Sequence, residues 1–558
     1  MFDVDVPLSS NGRYLYIGQT RQAEYVGIQP SQAILGDSGY ILKTVGDSYY
    51  LVGNTDYGSL YAVYGFLKNE FDYEYFTDDS FSLVKKDCFS NTNYDVEIVP
   101  DIDFVMSNYG MVYYNKDTTV RERYMMPERS DVFMTINGTI STHNTLSLLP
   151  TSKYGSYTDF YTDSLNDICF TAHGNQASFE AMTTAAANEI IEEFKSGCKT
   201  SIMTLGQQDN NKTCECSACM AIYNQYGTHS AKAIIFCNSV LEKVYEWFDT
   251  VEGKSYKRDF YILLLAYQKF VDAPVEVING NYVLKDGLTV HPKFGVYLAP
   301  ISCDFTVEVE SKSDLANYIN QWAVVANYFA FYSYDTNYHC YLTPFNSLES
   351  KHSLYLALDK VNCSIINESA SHNDVAIPTG WSLLKIYLES QLRWDVNLDV
   401  DVYTEKYFEG VYGDAADTML DIYNSYNSYW DSVQLKVKWG LLNSNVTNNH
   451  MLTNARDSVW DKNNLLNWLN KYETAFADIE HLKTENPNEY DRISKYIKAE
   501  RVSTLYLILE IYRDELSSTD FNKYIDAFIA DTKLLGINLE KEVNTYTIDA
   551  LLTRWGVA

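Results

Sequence analysis

The chain has few basic residues and no long apolar run. Its 558 residues include 43 Lys and Arg against 74 Asp and Glu, which gives a net charge of -31. Because nucleic acid and anionic membranes are bound through basic side chains, this balance argues against both as partners. No stretch approaches the ~18 apolar residues of a membrane span, and the N-terminus has no basic region followed by an apolar run. We expect no membrane insertion and a neutral or weakly charged partner.

Several common catalytic motifs are also missing. The sequence contains no P-loop, no serine-hydrolase elbow, no H-E-x-x-H pattern and no EF-hand, and no G-x-G-x-x-G follows a strand-like run. These absences remove several enzyme classes but leave the hydrolysis of sugar bonds open. Ten cysteines dispersed over the chain do not form a dense disulfide framework, so they leave the redox compartment open.

Aromatic residues are abundant: 15% of the chain, with 48 Tyr and 9 Trp. Such side chains offer flat apolar faces with a polar edge, and sugars bind to surfaces of that kind. The alternative is that Tyr replaces Phe in a core with wet edges. Composition leaves both interpretations open.

The hydrophobic pattern predicts three regions in an α/β protein. Residues 1–98 alternate strand-like runs with one helical run, which indicates a small α/β domain. Residues 99–396 contain eight strand-like runs separated by helical or loop stretches, as expected of a catalytic (β/α)8 TIM barrel. The candidate strands are 103–109, 131–137, 167–172, 201–207, 259–267, 294–301, 328–334 and 363–367. The alternative is a doubly wound open sheet, which usually brings the glycine-rich phosphate loop that is missing here.

Residues 397–558 read as helical to the end, which predicts a C-terminal α-helical bundle. Four tryptophans, Trp430, Trp460, Trp468 and Trp555, lie among these amphipathic stretches. Aromatic residues at helical spacing are typical of a core more than of a ligand platform.

Asp209 is the first candidate for a catalytic residue. It follows the apolar run Ser201–Leu205, which ends abruptly in polar side chains. In a parallel barrel the carboxyl ends of the strands present the chemistry. Glycoside cleavage needs two carboxyl groups across the scissile bond, or one acid assisted by the acetamide of the substrate. Glu368, at the end of the last strand-like run, is the favoured partner of Asp209, although either could be a surface carboxylate.

Other polar residues at the predicted strand ends are candidates for binding a sugar. His143 and His173 follow the second and third strand-like runs, each beside an Asn. Asp335 is the reserve candidate for a nucleophile or for orienting the substrate. The remaining candidates for substrate contact are Asn175, Gln208, Asn210, Tyr334 and Asn337.

Three cysteines, Cys214, Cys216 and Cys219, lie within six residues of one another just after Asp209. With one more Cys or His they would complete a tetrahedral structural zinc site. No fourth ligand is visible in the sequence. The alternatives are a local disulfide with one spare thiol, or buried thiols that stiffen the loop. No other cofactor is expected.

Several motifs resemble the bacterial proteins grouped as domain of unknown function 4838, close to glycoside hydrolase family 163. The resemblance spans residues 11 to about 430. Its most specific pieces are 206–211 (GQQDNN), 214–219 (CECSAC), 169–175 (CFTAHGN), 334–338 (YDTNY), 392–399 (LRWDVNLD) and 407–413 (YFEGVYG). Residues 58–67 resemble the α/β domain that precedes the barrel in α-glucuronidases and β-hexosaminidases. In one departure, Val105–Asn108 stands where the family pattern leads us to expect an Arg, and the loss would alter a contact to a polar sugar substituent.

The resemblance implies a TIM-barrel glycosidase. For family 163 it implies an endo-β-N-acetylglucosaminidase that releases complex N-glycans from glycoproteins. By position, Asp209 and Glu368 match acidic residues of the family, and His143 and His173 match its polar loop residues. We therefore expect a secreted or cell-surface bacterial enzyme, without its signal peptide here, that acts on an oligosaccharide or glycoprotein glycan. The alternatives are an exo-acting α-glucuronidase or hexosaminidase, and a non-catalytic glycan-binding protein.

Overall fold

The computed structural model describes residues 14–86, 92–109, 112, 119–126, 132–139, 142–164, 166–310, 313–371, 378–443 and 455–557. The chain divides into two compact units. The first unit comprises Met1–Met126, Asp335–His352 and Ala370–Ala558, and the second comprises Pro127–Tyr334 and Ser353–Ser369. The three-domain division stays a prediction. Within the described ranges, no helix has the length and apolar character needed to cross a membrane.

The first unit begins with the small α/β region that the sequence predicts. Its sheet has the strand order β1-β3-β2-β6, with β1 parallel to β3 and the other neighbours antiparallel. The strands are β1 (Leu15–Ile17), β2 (Tyr40–Val45), β3 (Ser48–Gly53) and β6 (Asp95–Ile98), followed by β7 (Phe104–Ser107). A hairpin of β4 (Glu74–Thr77) and β5 (Ser80–Ser82) is separate from this sheet.

The helix Asp56–Phe71 packs on β2 and β3. Thr55 caps it, because its hydroxyl accepts a hydrogen bond of 3.0 Å from the Gly58 N–H. A Cβ atom at Gly53 would lie 2.1 Å from the Gly58 carbonyl carbon, so only glycine allows the helix to start this close to the strand. The turn from Gly53 to Gly58 therefore serves packing.

Helices make up most of the rest of the first unit. They are Arg21–Tyr25, Gln32–Leu35, Thr119–Arg123, Ser382–Trp394, Val400–Tyr412, Ala416–Lys438, Lys462–Asp478, Leu482–Glu485, Pro487–Tyr512, Ser518–Leu535 and Ile548–Arg554. Short 3₁₀ helices cover Gly413–Ala415 and Arg513–Glu515. Pro487–Tyr512 packs against both Lys462–Asp478 and Ser518–Leu535. The helical character predicted after residue 397 is confirmed for the described residues, whereas their arrangement as one bundle stays a prediction.

The four C-terminal tryptophans are core residues. Trp430 and Trp460 are fully buried, and Trp468 and Trp555 are 4% and 6% exposed. The rings of Trp430 and Trp460 lie 5.7 Å apart. Burial of such large apolar surfaces stabilises the helical region and leaves the rings no face for a ligand.

The second unit is organised around parallel strands. Five of them are neighbours in the order β14-β13-β12-β9-β8, and every adjacent pair is parallel. They are β8 (Ile202–Leu205), β9 (Tyr261–Tyr267), β12 (Phe294–Ala299), β13 (Phe329–Tyr334) and β14 (Cys363–Ser369). An antiparallel hairpin of β10 (Val275–Ile278) and β11 (Asn281–Leu284) is inserted between β9 and β12.

The order of these five strands follows the order of the chain without reversal. A doubly wound sheet reverses its strand order at a switch point, so this part of the fold is singly wound. α-Helices connect β8 to β9, β12 to β13 and β13 to β14, as in repeated βα units, whereas a 3₁₀ turn and the β10–β11 hairpin connect β9 to β12. The helices of this part of the chain are Thr145–Leu148, Thr151–Tyr154, Gln176–Lys195, Ser217–Tyr226, Ser230–Phe248, Asp314–Val325 and Leu348–Asp359, with 3₁₀ helices at Thr158–Phe160, Ala172–Gly174, Gly253–Tyr256 and Gln268–Phe270.

Two predicted strands of the barrel are corrected. Residues 167–172 form one antiparallel bridge, between Tyr161 and Ile168, and then lead into a 3₁₀ helix. Ala172 and His173 have φ values of 45° and 52°, in the left-handed region, which ends any extended conformation. In the described part of 131–137, Phe133 makes a single parallel bridge to Ile202. The α/β class is confirmed, and a closed eight-stranded barrel stays a prediction.

Candidate functional site

The polar loop after β8 starts from a tightly packed glycine. A Cβ atom at Gly206 would lie 1.9 Å from the Thr142 carbonyl oxygen, so no other residue fits without displacing the chain. The Gly206 N–H donates to Asn144 Oδ1 at 3.1 Å, and the Asn144 N–H donates to the Gly206 carbonyl at 3.0 Å. These paired hydrogen bonds fix the segment around His143 beside the end of β8.

Asp209 follows three residues later and faces two aromatic residues. The Tyr267 hydroxyl, at the carboxyl end of β9, donates to Asp209 Oδ1 at 3.2 Å. His143 Nε2 lies 3.9 Å from the same oxygen, and the rings of His143 and Tyr267 are in edge contact. The Asp209 side chain is 65% exposed. The side chains of His143 and Tyr267 therefore meet at the exposed carboxyl group of Asp209.

The protonation of His143 and Tyr267 follows from their partners. His143 Nδ1 lies 2.7 Å from the Gln207 carbonyl oxygen, which can only accept, so Nδ1 carries a proton. Nε2 is then the ring nitrogen that faces Asp209. Burial and the Asp209 charge raise the pKa of Tyr267, so its hydroxyl stays a donor across the physiological range.

A buried carboxylate that sequence reasoning missed supports this loop. Asp167 accepts from the Thr145 hydroxyl at 2.7 Å, the Ile168 N–H at 2.8 Å and the Gln208 N–H at 3.0 Å. Burial raises the pKa of Asp167, and these hydrogen bonds oppose the rise. Gln208 adds a bond of 3.1 Å from its Nε2 to the Thr145 hydroxyl. Gln208, a predicted sugar contact, is thus engaged in positioning the loop.

Glu368 does not lie next to Asp209 in the sheet. It is fully buried on β14, and the Tyr355 hydroxyl donates to its Oε1 at 2.9 Å. Three strands separate β14 from β8, which corresponds to roughly 19 Å along the sheet at the usual strand spacing. Only curvature of the sheet can bring the two carboxyl groups together, and their pairing stays a prediction.

Tyr334, Asp335 and Asn337 are buried side chains held by protein partners. Tyr334 ends β13 and packs on the Phe305 ring at 5.5 Å. Asn337 Oδ1 accepts from the His339 N–H at 3.0 Å. Their roles as substrate contacts stay predictions.

Asp335 lies in the first unit, where it forms an ion pair of 3.1 Å with Lys351 and accepts a hydrogen bond from Ser347. Lys351 also pairs with Glu389 at 3.2 Å. Burial alone would raise the pKa of Asp335, but the ammonium groups of Lys351 and Lys385 outweigh it and hold the pKa well below its usual range. Asp335 is therefore charged and paired inside the protein.

A cleft of about 400 Å³ brings two other predicted residues together. Its lining includes His173 and Asn210, along with Asp163, Asp167 and Lys212. His173 Nε2 contacts the Tyr161 carbonyl oxygen at 2.8 Å, which raises the pKa of His173. The polar lining suits a hydroxyl-rich ligand.

Asn175 caps a helix, and its predicted contact with substrate stays a prediction. Its Oδ1 accepts from the N–H groups of Ala177 and Ser178 at 3.1 and 3.2 Å, at the start of Gln176–Lys195. Its Nδ2 donates to Asp159 Oδ2 at 3.0 Å. All polar atoms of this side chain are therefore engaged.

The predicted cysteine cluster borders the same cleft. Cys214 and Cys216 line it, and Cys219 is buried behind them. A fourth cysteine, Cys169, lies in contact with this group. Sequence reasoning missed Cys169 because it precedes Cys214 by 45 residues.

The chain belongs to the family described as domain of unknown function 4838, whose family model matches residues 90–424. No curated protein matches the sequence. Among solved structures, the fold is similar to that of a glycoside hydrolase family 89 enzyme from Clostridium perfringens, with a TM-score of 0.50, 11% identity, and coverage of 94% of this chain and 62% of that one. At such identity the likeness concerns the fold.

Two further solved structures are more distant. A family 138 glycoside hydrolase that targets pectin rhamnogalacturonan II has a TM-score of 0.43 at 12% identity, with coverage of 97% of this chain and 74% of that one. A family 84 protein, CpGH84B, has a TM-score of 0.40 at 13% identity, with coverage of 96% and 89%.

Proposed function

We propose that the protein is a glycoside hydrolase and that Asp209 is its proton donor. The observation that carries the proposal is the exposed Asp209 carboxyl group at the carboxyl end of β8, fixed between the Tyr267 hydroxyl and His143. Carboxyl ends of parallel strands are where enzymes with repeated βα units place their chemistry. A general acid has to be reachable by the leaving group, and a 65% exposed side chain meets that requirement.

With Asp209 as the acid and no second carboxylate assigned as nucleophile, the proposal takes a substrate that supplies its own nucleophile. In an N-acetylglucosaminide the acetamide oxygen attacks the anomeric carbon while the bond to the glycosidic oxygen breaks. Asp209 protonates the departing oxygen, and water then opens the cyclic intermediate and returns a proton to Asp209. The imidazole of His143 and the hydroxyl of Tyr267 position the Asp209 carboxyl group through both steps.

We propose β-linked N-acetylglucosamine in complex N-glycans as the substrate, cleaved in the endo mode. The resemblance to family 163 supports the β linkage and the endo mode, and the family 89 enzyme of similar fold, which acts on GlcNAc-α-1,4-galactose, supports N-acetylglucosamine as the sugar. Such glycans lie outside cells, so the proposal includes a secreted or cell-surface bacterial protein. Fractionation of the source cells, followed by immunoblotting, tests the location.

The experiment is a mass-spectrometric screen of the purified protein against a glycoprotein carrying complex and high-mannose N-glycans. Aryl N-acetylglucosaminides and GlcNAc-α-1,4-galactose test the exo mode and the α linkage. Asp209→Asn and Glu368→Gln test the two carboxyl groups. The matched control is Asp259→Asn, because Asp259 is 81% exposed in the same unit but precedes β9 instead of following a strand.

We expect release of glycans that lack one core N-acetylglucosamine, with at least a 100-fold loss of turnover in Asp209→Asn, on the order expected for a general acid. Asp259→Asn should retain activity. Unchanged turnover in Asp209→Asn would overturn the assignment of the acid. Glycan binding without release from any substrate would overturn the hydrolase proposal and indicate a glycan-binding protein.

A further inference from the structure

Four cysteine sulfurs of the second unit converge on one point. Cys169 Sγ lies 3.8 Å from Cys219 Sγ and 3.9 Å from Cys216 Sγ. All four sulfurs, with Cys214 included, lie within 4.8 Å of one another. A disulfide has its sulfurs about 2.05 Å apart, so these distances are too long for one.

The spacing matches a tetrahedral metal site. Zinc binds thiolate at about 2.3 Å, which places the sulfurs of a regular tetrahedron about 3.8 Å from each other. Two of the sulfur pairs have this separation and the whole group lies within 4.8 Å, which is the arrangement that a shared metal ion requires. Tetrahedral sulfur coordination is characteristic of zinc or iron.

The groups around the sulfurs are hydrogen-bond donors. The Thr171 hydroxyl lies 3.2 Å from Cys219 Sγ and 3.4 Å from Cys169 Sγ. The His173 N–H donates to Cys169 Sγ at 3.3 Å, and the Cys219 N–H donates to Cys216 Sγ at 3.5 Å. Donors of this kind stabilise metal-bound thiolates and orient them.

The backbone beside Cys169 is held in a costly conformation. Ala172 and His173 adopt left-handed φ values, which are unfavourable for residues other than glycine. This turn is what directs the His173 N–H towards Cys169. A metal ion bound to Cys169 would offset the free-energy cost of this backbone conformation.

A buried lysine provides independent support. Lys232 is fully buried, and its ammonium group donates to the Cys214 carbonyl at 2.7 Å and the Thr213 hydroxyl at 2.8 Å. Both acceptors are neutral. A buried ammonium group requires a nearby negative charge. The Glu215 carboxylate interacts with Lys232 through its charge. Four thiolates around one divalent cation carry a net charge of about -2 and would add to it.

We infer that Cys169, Cys214, Cys216 and Cys219 bind one structural zinc ion. Each thiol loses its proton to solvent on binding, and no oxidant is required. The ion would join the loop that contains His173 to the loop that contains Asp209, and so fix both walls of the cleft. The inference does not depend on the proposed function, because the metal is measured directly.

The first test is the metal content of the full-length protein, expressed with added zinc and purified without chelators or a metal-binding tag. We expect one zinc per chain by mass spectrometry of the metals. Replacement by cobalt should give the thiolate-to-metal absorption of a tetrahedral sulfur site. Folded protein without zinc, which also fails to bind added zinc, would overturn the inference. Iron in place of zinc would overturn the identity of the metal.

Cys169→Ser tests the ligand that the sequence did not reveal. The matched control is Cys237→Ser, because Cys237 is equally buried in the same unit but lies outside the cluster. Chelator competition should show zinc affinity at least about 10-fold lower in Cys169→Ser and unchanged in Cys237→Ser. Equal affinity in Cys169→Ser would exclude Cys169 as a ligand.

A milder variant covers the case in which Cys169→Ser does not fold. Thr171→Val keeps all four thiols and removes one hydroxyl donor. We expect zinc affinity about 10- to 100-fold lower, with the cobalt spectrum still that of four sulfurs. If Cys169→Ser does not fold, unchanged zinc affinity in Thr171→Val would refute a site built on the sulfurs that the Thr171 hydroxyl contacts.

Discussion

The buried carboxyl group of Glu500 makes the free energy of unfolding of the first unit decrease as pH rises. Its side chain is 4% exposed in the helix Pro487–Tyr512, and the Trp381 N–H donates to Oε2 at 2.8 Å. Burial raises the pKa of Glu500 from 4.5 to about 8, against the smaller effects of the backbone donors and Lys385. In the unfolded chain the carboxyl group ionises near its ordinary pKa.

The sign follows from the protons bound in each state. Between pH 4.5 and 8 the folded chain keeps the proton that the unfolded chain loses, so the contribution of Glu500 to stability is complete below pH 4.5 and decreases as pH rises. At about 1.4 kcal/mol per pKa unit, the loss between pH 5 and pH 8 is on the order of 3–4 kcal/mol. Gln does not titrate and can accept the same hydrogen bond from Trp381.

Relative to wild type, we therefore expect the free energy of unfolding of Glu500→Gln to increase by about 3–4 kcal/mol between pH 5 and pH 8. The assay is pulse-labelling hydrogen exchange in urea, read on peptides of the helix Pro487–Tyr512. Glu489→Gln on the same helix is the control. Arg492 lowers the pKa of Glu489, so removal of the Glu489 carboxylate should not stabilise the protein at pH 8. Parallel pH dependence of wild type and Glu500→Gln would refute the reasoning.

Three further substitutions test the fold and the support of the site. Arg393→Met should destabilise the first unit by at least about 3 kcal/mol in urea unfolding, because the buried guanidinium group donates to the Asp103 carbonyl at 2.6 Å and to two other buried oxygens. Trp460→Ala should cost about 3–5 kcal/mol by the same assay and leave glycan binding unchanged, since the ring is fully buried. Asp167→Ala should lower kcat/KM about 10- to 100-fold at unchanged zinc content, because it releases the Gln208 N–H and shifts the loop that bears Asp209. Unchanged stability of Arg393→Met would contradict the structural role of the guanidinium group. Weaker glycan binding in Trp460→Ala would contradict the assignment of Trp460 to the core, and full activity in Asp167→Ala would contradict its role in positioning the loop.

The parallel strands of the second unit could be predicted because they are buried on both faces. Such strands appear in the sequence as continuous apolar runs. The runs at 201–207, 259–267, 294–301, 328–334 and 363–367 correspond to β8, β9, β12, β13 and β14. The run at 167–172 misled the prediction, because it makes one bridge and then turns into a 3₁₀ helix, while its Phe170 ring packs on Phe236 and Phe270.

The site could be predicted only where its residues are close in sequence. Asp209 and the three cysteines that follow it stand out as a local pattern. Asp167 and Cys169 belong to a different loop, and nothing in their spacing reveals that the fold brings them to the loop after β8. The position of Glu368 at the end of a strand-like run predicts an accessible carboxyl group. Its burial depends on contacts with distant residues, which the local sequence pattern does not show.

The most direct test of the central claim is hydrolysis of the glycoprotein in water enriched in heavy oxygen. If the protein is a glycoside hydrolase with Asp209 as proton donor, the released glycan carries one heavy oxygen at its reducing end with wild type and Asp259→Asn. Release with Asp209→Asn should fall at least about 100-fold. Absence of labelled glycan from the wild-type reaction, or equal labelling with Asp209→Asn, would contradict the account.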